Sequence, residues 1–385
     1  MTDAPSGWRR VPPDRFTVGI TVGTQPPLGR VHTTLRGART LGFDVAWTVD
    51  HFQGFFPTAI WDRELTWAAD PDATPHAFFD YQTLLGNLAP RAGSMHLGVG
   101  VTEAIRRHPM LLAQAFLTLA HMTERAPILG LGAGERENVE PYGLAFDRPV
   151  GRLEDALAVV KAALRSRGPF SHRGPFFAFD DAVMDLVAPD ATRPEIWIAA
   201  HGPRMLRLTG EFADGWYPTL PTSPGEYESS LRAVWSAART AGRDPRAITP
   251  GWQAFTVIGR TERAARAMLD SRAVRFTALL ADAATWQRIG VPHPFGDAYR
   301  GIVDFTPERH SRAELDAAMA AVPVDGLAEV VLWGTVEQIK RRLGDFADAG
   351  LRHLVLQPAS ALVSKRSALY SMAAVVRIAR ALKKR

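Results

Sequence analysis

Along this chain, short runs of aliphatic, β-branched and aromatic residues alternate with longer stretches in which apolar positions recur every three or four residues. The short runs predict strands at 16–22, 43–49, 95–101, 128–132, 196–200, 214–217, 251–258 and 353–357. The longer stretches predict helices at 31–41, 83–89, 110–123, 152–165, 203–212, 225–241, 261–272 and 336–349. Eight strands each tied to a helix imply an α/β chain folded as a (β/α)8 TIM barrel, one domain over 1–385. A doubly wound sheet is the rival for the same alternation. Segments 52–80, 144–194 and 274–328 exceed ordinary connections and read as insertions after strands two, four and seven, suited to lids or oligomer contacts.

Composition narrows the function classes. A hydrophobic fraction of 46% with 22% charged residues is that of a globular chain able to bury a large core. The absence of cysteine excludes disulfides, thiolate nucleophiles and Cys-ligated metals. The opening Met-Thr-Asp-Ala-Pro-Ser lacks the pattern of a secretory signal, so a cytoplasmic location is expected. A net charge of +5 raises the question of nucleic acid, but the basic residues are dispersed and no such partner is expected. They concentrate only at Arg377, Arg380, Lys383, Lys384 and Arg385, after an amphipathic helix over 368–376. That charge either offsets the helix dipole or makes at most peripheral contact with an anionic membrane.

Four motifs carry candidate chemistry. The strand at 43–49 stops at Asp50-His51-Phe52-Gln53, where a barrel places its active site. The imidazole of His51 can exchange a proton near neutral pH, or it can simply pack. No second histidine stands at i+2 or i+4, so no metal is expected there. Gly130, Gly132 and Gly134 alternate before Glu135, with Asn138 beyond, which allows a ligand ring to approach the backbone. Glu135 would be a general acid if burial raised its pKa, or a helix cap or partner of Arg136. Ala199-Ala200-His201-Gly202-Pro203 leads into a helix whose free N–H groups suit a phosphate, or is an ordinary turn. Gly98-Val99-Gly100-Val101-Thr102 places Thr102 over the barrel mouth, and His108-Pro109 sets the start of the next helix.

In that order, these motifs resemble the luciferase-like (β/α)8 superfamily, and within it the branch using the deazaflavin coenzyme F420. Asp50 to Gln53 and Gly134-Glu135 are similar to motifs of the branch's glucose-6-phosphate dehydrogenase. The stretches 134–143 and 195–207 resemble the mycobacterial phthiodiolone and phenolphthiodiolone dimycocerosate ketoreductases more closely. The resemblance implies that Asp50 and His51 lie beside the deazaflavin ring and that a non-prolyl cis peptide falls at Gly100–Val101. It implies that Ala133, Gly134 and Glu135 line the ring edge, with Thr102 and Asn138 near it, and that residues 199–203 (Ala199, Ala200, His201, Gly202, Pro203) hold the phosphate-bearing tail. Two departures weigh against a sugar phosphate: Gly54 and Phe55 replace the tryptophan after the first motif, and no lysine occurs between Lys161 and Lys340.

The expected activity is therefore ketone reduction by reduced F420 on a large, apolar, lipid-like substrate. Glu135 would give the proton and His51 would orient the carbonyl. Asp50 would fix the histidine, and Trp47, Phe52, Phe55, Phe56 and Trp61, with parts of 274–328, would form apolar walls. Alternatives are an FMN-dependent monooxygenase, an F420-dependent sugar-phosphate or alcohol dehydrogenase, and a non-catalytic flavin-binding protein. The resemblance also implies a homodimer.

Overall fold

The computed structural model describes residues 15–70, 73–219 and 222–384. In chain order its strands are β1 (Thr17–Thr21), β2 (Val45–Thr48), β3 (His96–Thr102), β4 (Ile128–Leu131), β5 (Phe170–Arg173) and β6 (Ala178–Ala182), then β7 (Glu195–Ile198), β8 (Gly215–Trp216), β9 (Thr249–Ile258), β10 (Leu332–Gly334) and β11 (His353–Pro358). Strands β1, β2, β3, β4, β7, β8, β9 and β11 are parallel and form a ring, closed by β8 on β9 and by β11 on β1. Closure excludes the doubly wound sheet. The chain is a (β/α)8 barrel.

The ring fills its own interior with aromatic side chains. Trp47 of β2 stacks on Tyr217, with centroids 4.6 Å apart, and meets Trp197 of β7 edge-on at 5.4 Å. Such bulk fits only because small residues face it. A Cβ at Gly98 would stand 2.8 Å from the Trp47 ring, and one at Gly215 would stand 2.2 Å from Trp197. Below them, the Trp47 indole N–H donates to Nε2 of His353 at 3.1 Å, and Nδ1 of that ring lies 2.8 Å from the Thr17 hydroxyl. Burial, with the nearby His96, pushes the His353 pKa down to about 3, so this ring is neutral. Trp47 is thus a core residue at 1% exposure, not the pocket wall expected from sequence.

Eight helices cover the ring: Leu28–Leu41, Tyr81–Ala92, Pro109–Met122, Pro149–Ala163, Pro203–Phe212, Pro224–Thr240, Val336–Asp348 and Lys365–Leu382. Alternate strand residues such as Ala46, Leu97, Leu129 and Ile196 face them. The helix expected at 152–165 is the barrel helix 149–163, and the addition in 144–194 is the antiparallel β5–β6 hairpin that follows it. Asp155 of that helix anchors the hairpin, accepting the N–H groups of Phe176 and Phe177 and lying 2.6 Å from Nε2 of His172.

The expected helix at 261–272 is two, Glu262–Leu269 and Arg272–Leu279, broken at Asp270-Ser271. With helices Ala283–Arg288, Arg312–Ala320 and Val324–Val330 they build a second core around Phe276, Phe305 and Leu315, which Ile60 and Leu65 of segment 52–70 join. β10, three residues long and unexpected from the sequence, hangs this unit on β9. On β9, Thr249 and Pro250 pair with β8, Gly251 to Thr256 pair with β11, and Thr256 to Ile258 pair with β10. Among the described residues no helix is long and apolar enough to cross a membrane.

Candidate active site

At the C-terminal end of the ring, β2 delivers Asp50 and His51, β3 ends at Thr102, and β4 runs into Ala133 to Asn138. The Gly100–Val101 peptide is cis, at the position the family resemblance implies, where the β3–β4 register also shifts. Gly134 takes a positive φ of 92°, which turns the chain so that Glu135 follows at the mouth. The 3-10 turn Arg136–Asn138 then folds Glu137 and Asn138 back under β2's end.

His51 is held from this turn. Its Nδ1 lies 2.9 Å from Glu137 Oε1 and 3.9 Å from Glu135 Oε2. Burial alone would lower the imidazole pKa. The Glu137 hydrogen bond and the charges of Glu135, Glu137 and Asp50 outweigh it and raise the pKa from 6.5 to about 9, so Nδ1–H donates to Glu137. Glu137 itself has no exposed surface, and Gln53 Nε2 donates to its backbone carbonyl. Asn138 is buried, with Oδ1 accepting the Phe52 N–H at 2.8 Å and Nδ2 reaching Glu137 at 3.1 Å and Glu135 at 3.3 Å.

Burial, opposed by the His51 charge and aided by that of Glu137, pushes Glu135 up to about 7. A carboxyl titrating there exchanges protons at neutral pH. It does not pair with Arg136, whose guanidinium goes to Glu140 and Asp304. His51, Glu135 and Glu137 also form a cluster whose ligand atoms lie within 4.8 Å of one another, a donor set for a metal that the sequence reading did not expect. The Asn138 amide nitrogen sits among the same atoms, 3.1 Å from His51 Nδ1.

Asp50 has a different task from the one expected. Its Oδ2 accepts the Thr102 hydroxyl at 2.6 Å and pairs with Arg106 at 2.9 Å and Arg107 at 2.7 Å. Arg106 continues to Glu103 and Arg107 to Asp80, so an ionic chain ties β2 to the β3 loop and to the start of helix 81–92. The carboxylate that orients His51 is Glu137, not Asp50. Thr102 and Asn138 are likewise committed inside the protein rather than free for a ligand, and Ala200 is buried, its carbonyl accepting the Trp216 indole N–H.

The expected apolar walls divide. Phe55 stands edge-on to His51 at 5.0 Å, and Phe78, unremarked in the sequence, lies 5.7 Å from it. Phe52 turns outward at 45% exposure, against Tyr142 and under the Arg106 guanidinium. Phe56 packs on Trp61 and Phe276, in the second core. A cavity of about 870 Å³ lies between the β8–helix loop, β9, β10 and the insertion, with Thr219, Phe255, Leu280, Ile289, Ile302 and Trp333 among its lining. His201, Gly202 and Pro203 are exposed where helix 203–212 begins, and among the described residues no side chain caps its N–H groups.

Phthiodiolone/phenolphthiodiolone dimycocerosates ketoreductase of Mycobacterium tuberculosis (strain H37Rv) is 39% identical over 344 residues, 89% of this chain and 90% of the relative. In fold, an F420-dependent secondary alcohol dehydrogenase solved with an F420–acetone adduct superposes with a TM-score of 0.69 at 18% identity, covering 90% of this chain and 94% of the other. The FMN-bound oxygenating constituent of 3,6-diketocamphane monooxygenase from Pseudomonas putida superposes at 0.64 and 14% identity, covering 95% and 98%. Residues 14–353 match the family described as luciferase-like monooxygenase. With that match and the 39% identical relative, the chain belongs to the luciferase-like family.

Proposed function

We propose that this protein is an F420-dependent oxidoreductase that reduces a ketone on a large apolar substrate. The observation that carries the reading is the Glu135 carboxyl, raised to about 7 beside a charged His51 at the barrel mouth. The ketoreductase name of the 39% identical relative supports the reaction class. The F420-dependent alcohol dehydrogenase of like fold supports the cofactor.

The residues present fit a deazaflavin with an anionic tail. The uncapped N-terminus of helix 203–212 offers backbone N–H groups to a phosphate. Beside Asp50, the buried Arg106 Nη1 has no hydrogen-bond partner among the described residues. His201, Gly202 and Pro203 would hold the tail, and Val101, Ala133 and Gly134 would face the ring. Reduced deazaflavin, when bound, supplies hydride. The Glu135 carboxyl gives its proton to the carbonyl oxygen as charge develops there, and the imidazolium of His51 stabilises that charge. Glu137 keeps His51 protonated and fixed in direction. Phe55 and Phe78 exclude water from one side of His51.

The test is a binding titration of the purified protein with F420 and with FMN, followed by turnover of a hydrophobic ketone with reduced F420. Deazaflavin binding and turnover are expected. Tight FMN binding without deazaflavin binding would favour the monooxygenase reading, which the family description and the FMN-bound neighbour support. Deazaflavin binding without turnover of any ketone would point to a cofactor-binding protein.

A further inference from the structure

The helix Lys365–Leu382 covers the ring with Ser371, Ala374, Val375, Ile378, Ala379 and Leu382. Its opposite side faces outward, and there the exposed Lys365, Leu369, Met372 and Arg380 share one stripe, which Lys384 continues just past the helix end, while Val376 is half-buried against the core. Leu369 is 70% exposed and Met372 46%. The stripe is cationic at both ends and apolar in its middle. Arg366 and Arg377 widen it, and between 365 and 384 there is no acidic residue. The carboxylate of Glu337 reaches this face, but Lys340 holds it at 2.8 Å, while Arg377 lies 3.9 Å away. Lys383 turns back to Asp44 and the Gly42 carbonyl, clamping the far end of the helix to the barrel.

From this pattern we infer that the outer face of helix 365–382 adsorbs to an anionic lipid surface, lying in its plane. Lys365, Arg366, Arg380 and Lys384 meet headgroup phosphates, and Leu369 and Met372 enter the acyl boundary. Charge complementarity alone would also suit a nucleic acid. The exposed Leu369 and Met372 at the centre of the stripe favour lipid, because a phosphodiester backbone leaves them in water. The helix also starts beside the barrel mouth: the turn before it accepts the Thr66 hydroxyl on Leu362 O and the Trp67 indole N–H on Ala361 O. Adsorption on this face therefore brings the rim carrying segment 52–70 close to the lipid surface. The inference does not depend on the cofactor or the reaction.

The experiment is flotation of the full chain with vesicles of phosphatidylcholine alone and with about a third phosphatidylglycerol. Binding to the anionic vesicles at least tenfold above the neutral ones is expected, reversed by 0.5 M salt through screening. The quadruple variant K365Q/R366Q/R380Q/K384Q should lose at least tenfold. L369S/M372S, which keeps every charge, should also lose severalfold. Thermal melting of both variants checks that the barrel stays folded, and single L369S and K365Q variants replace any that melts early. Equal partition to both vesicle types, or quadruple-variant binding equal to wild type, overturns the proposal. So does wild-type binding to duplex DNA that is abolished by the charge variant and untouched by L369S/M372S, which would assign the face to nucleic acid instead.

Discussion

His51 Nδ1 lies 2.9 Å from Oε1 of Glu137, a carboxylate with no exposed surface. A buried imidazole without such a partner titrates below 6.5, as His96 does at about 4. Here the partner reverses the sign. Glu137→Gln should therefore lower the His51 pKa from about 9, read by NMR titration of the ring, although the Glu135 and Asp50 charges still oppose burial. At pH 7 the variant would hold a smaller fraction of charged His51 than the wild type. Turnover should fall by roughly 10²-fold, the scale of losing one preorganised electrostatic contact to the reacting group. An unchanged His51 titration would show that Glu137 is not its determinant.

Glu135 controls the second prediction. If its protonated form delivers the proton, ketone reduction should decline as pH rises through about 7. Glu135→Gln should lose about 10²–10⁴-fold in kcat while binding the cofactor within a few-fold of wild type. Turnover of that variant at the wild-type rate would remove Glu135 from the chemistry.

Asp50 should matter for folding as much as for activity. Asp50→Asn leaves Arg106 and Arg107 facing a neutral amide in a largely buried position, and breaking a buried ion pair costs about 3–5 kcal/mol. Chemical denaturation should register that loss. Thr102→Val should cost less, about 1 kcal/mol, since it removes a single hydroxyl bond and keeps both ion pairs.

Acid should destabilise the barrel from inside. Burial and the His96 charge hold His353 at about 3 in the folded state, whereas the unfolded ring takes up its proton near 6.5. That contribution is complete above pH 6.5 and is lost as pH falls toward 3. It amounts to about 1.4 kcal/mol per pH unit in that window. His96, held at about 4 by burial, adds a second proton over a shorter range. His51 runs the other way, contributing fully below pH 6.5 and fading as pH rises through 9. Unfolding free energy measured from pH 4 to 9 should fall at both ends, and His353→Gln should flatten the acid limb.

The hairpin offers a structural control. A Cβ on Gly174 would stand 1.8 Å from Asp155 Oδ1, so Gly174→Ala must displace the carboxylate that accepts the Phe176 and Phe177 N–H groups. Limited proteolysis should then cut near 170–182 well before the barrel unfolds. A hairpin as resistant as wild type would show that Asp155 does not anchor it.

The strands and their ends were legible because a buried parallel strand is written as a short apolar run, and Asp50, His51 and Glu135 stand where two such runs stop. Glu137 was not legible. In Glu135-Arg136-Glu137-Asn138 it reads as part of a solvated charged turn, and only the approach of β2's end, 86 residues away in sequence, encloses it. Asp50 was expected to fix His51 because the two are adjacent in sequence, yet successive residues on extended backbone point to opposite sides. The second core escaped for another reason. Its members come from 60–65, 257–327 and Ala359, and no one of these stretches carries a repeating apolar pattern that names the others.

β9 meets three neighbours along its ten residues: β8 at its start, β11 through its middle and β10 at its end. A one-residue slip in a strand swaps every side chain to the opposite face. In β9 that slip would put Phe255 outside the ring, mispair the closing strand, and shift the attachment of the whole unit from 262 to 330. Misregistry here is penalised at three independent places, so the alignment of barrel, mouth and insertion is set by a single segment whose position along the sheet has no near-degenerate alternative.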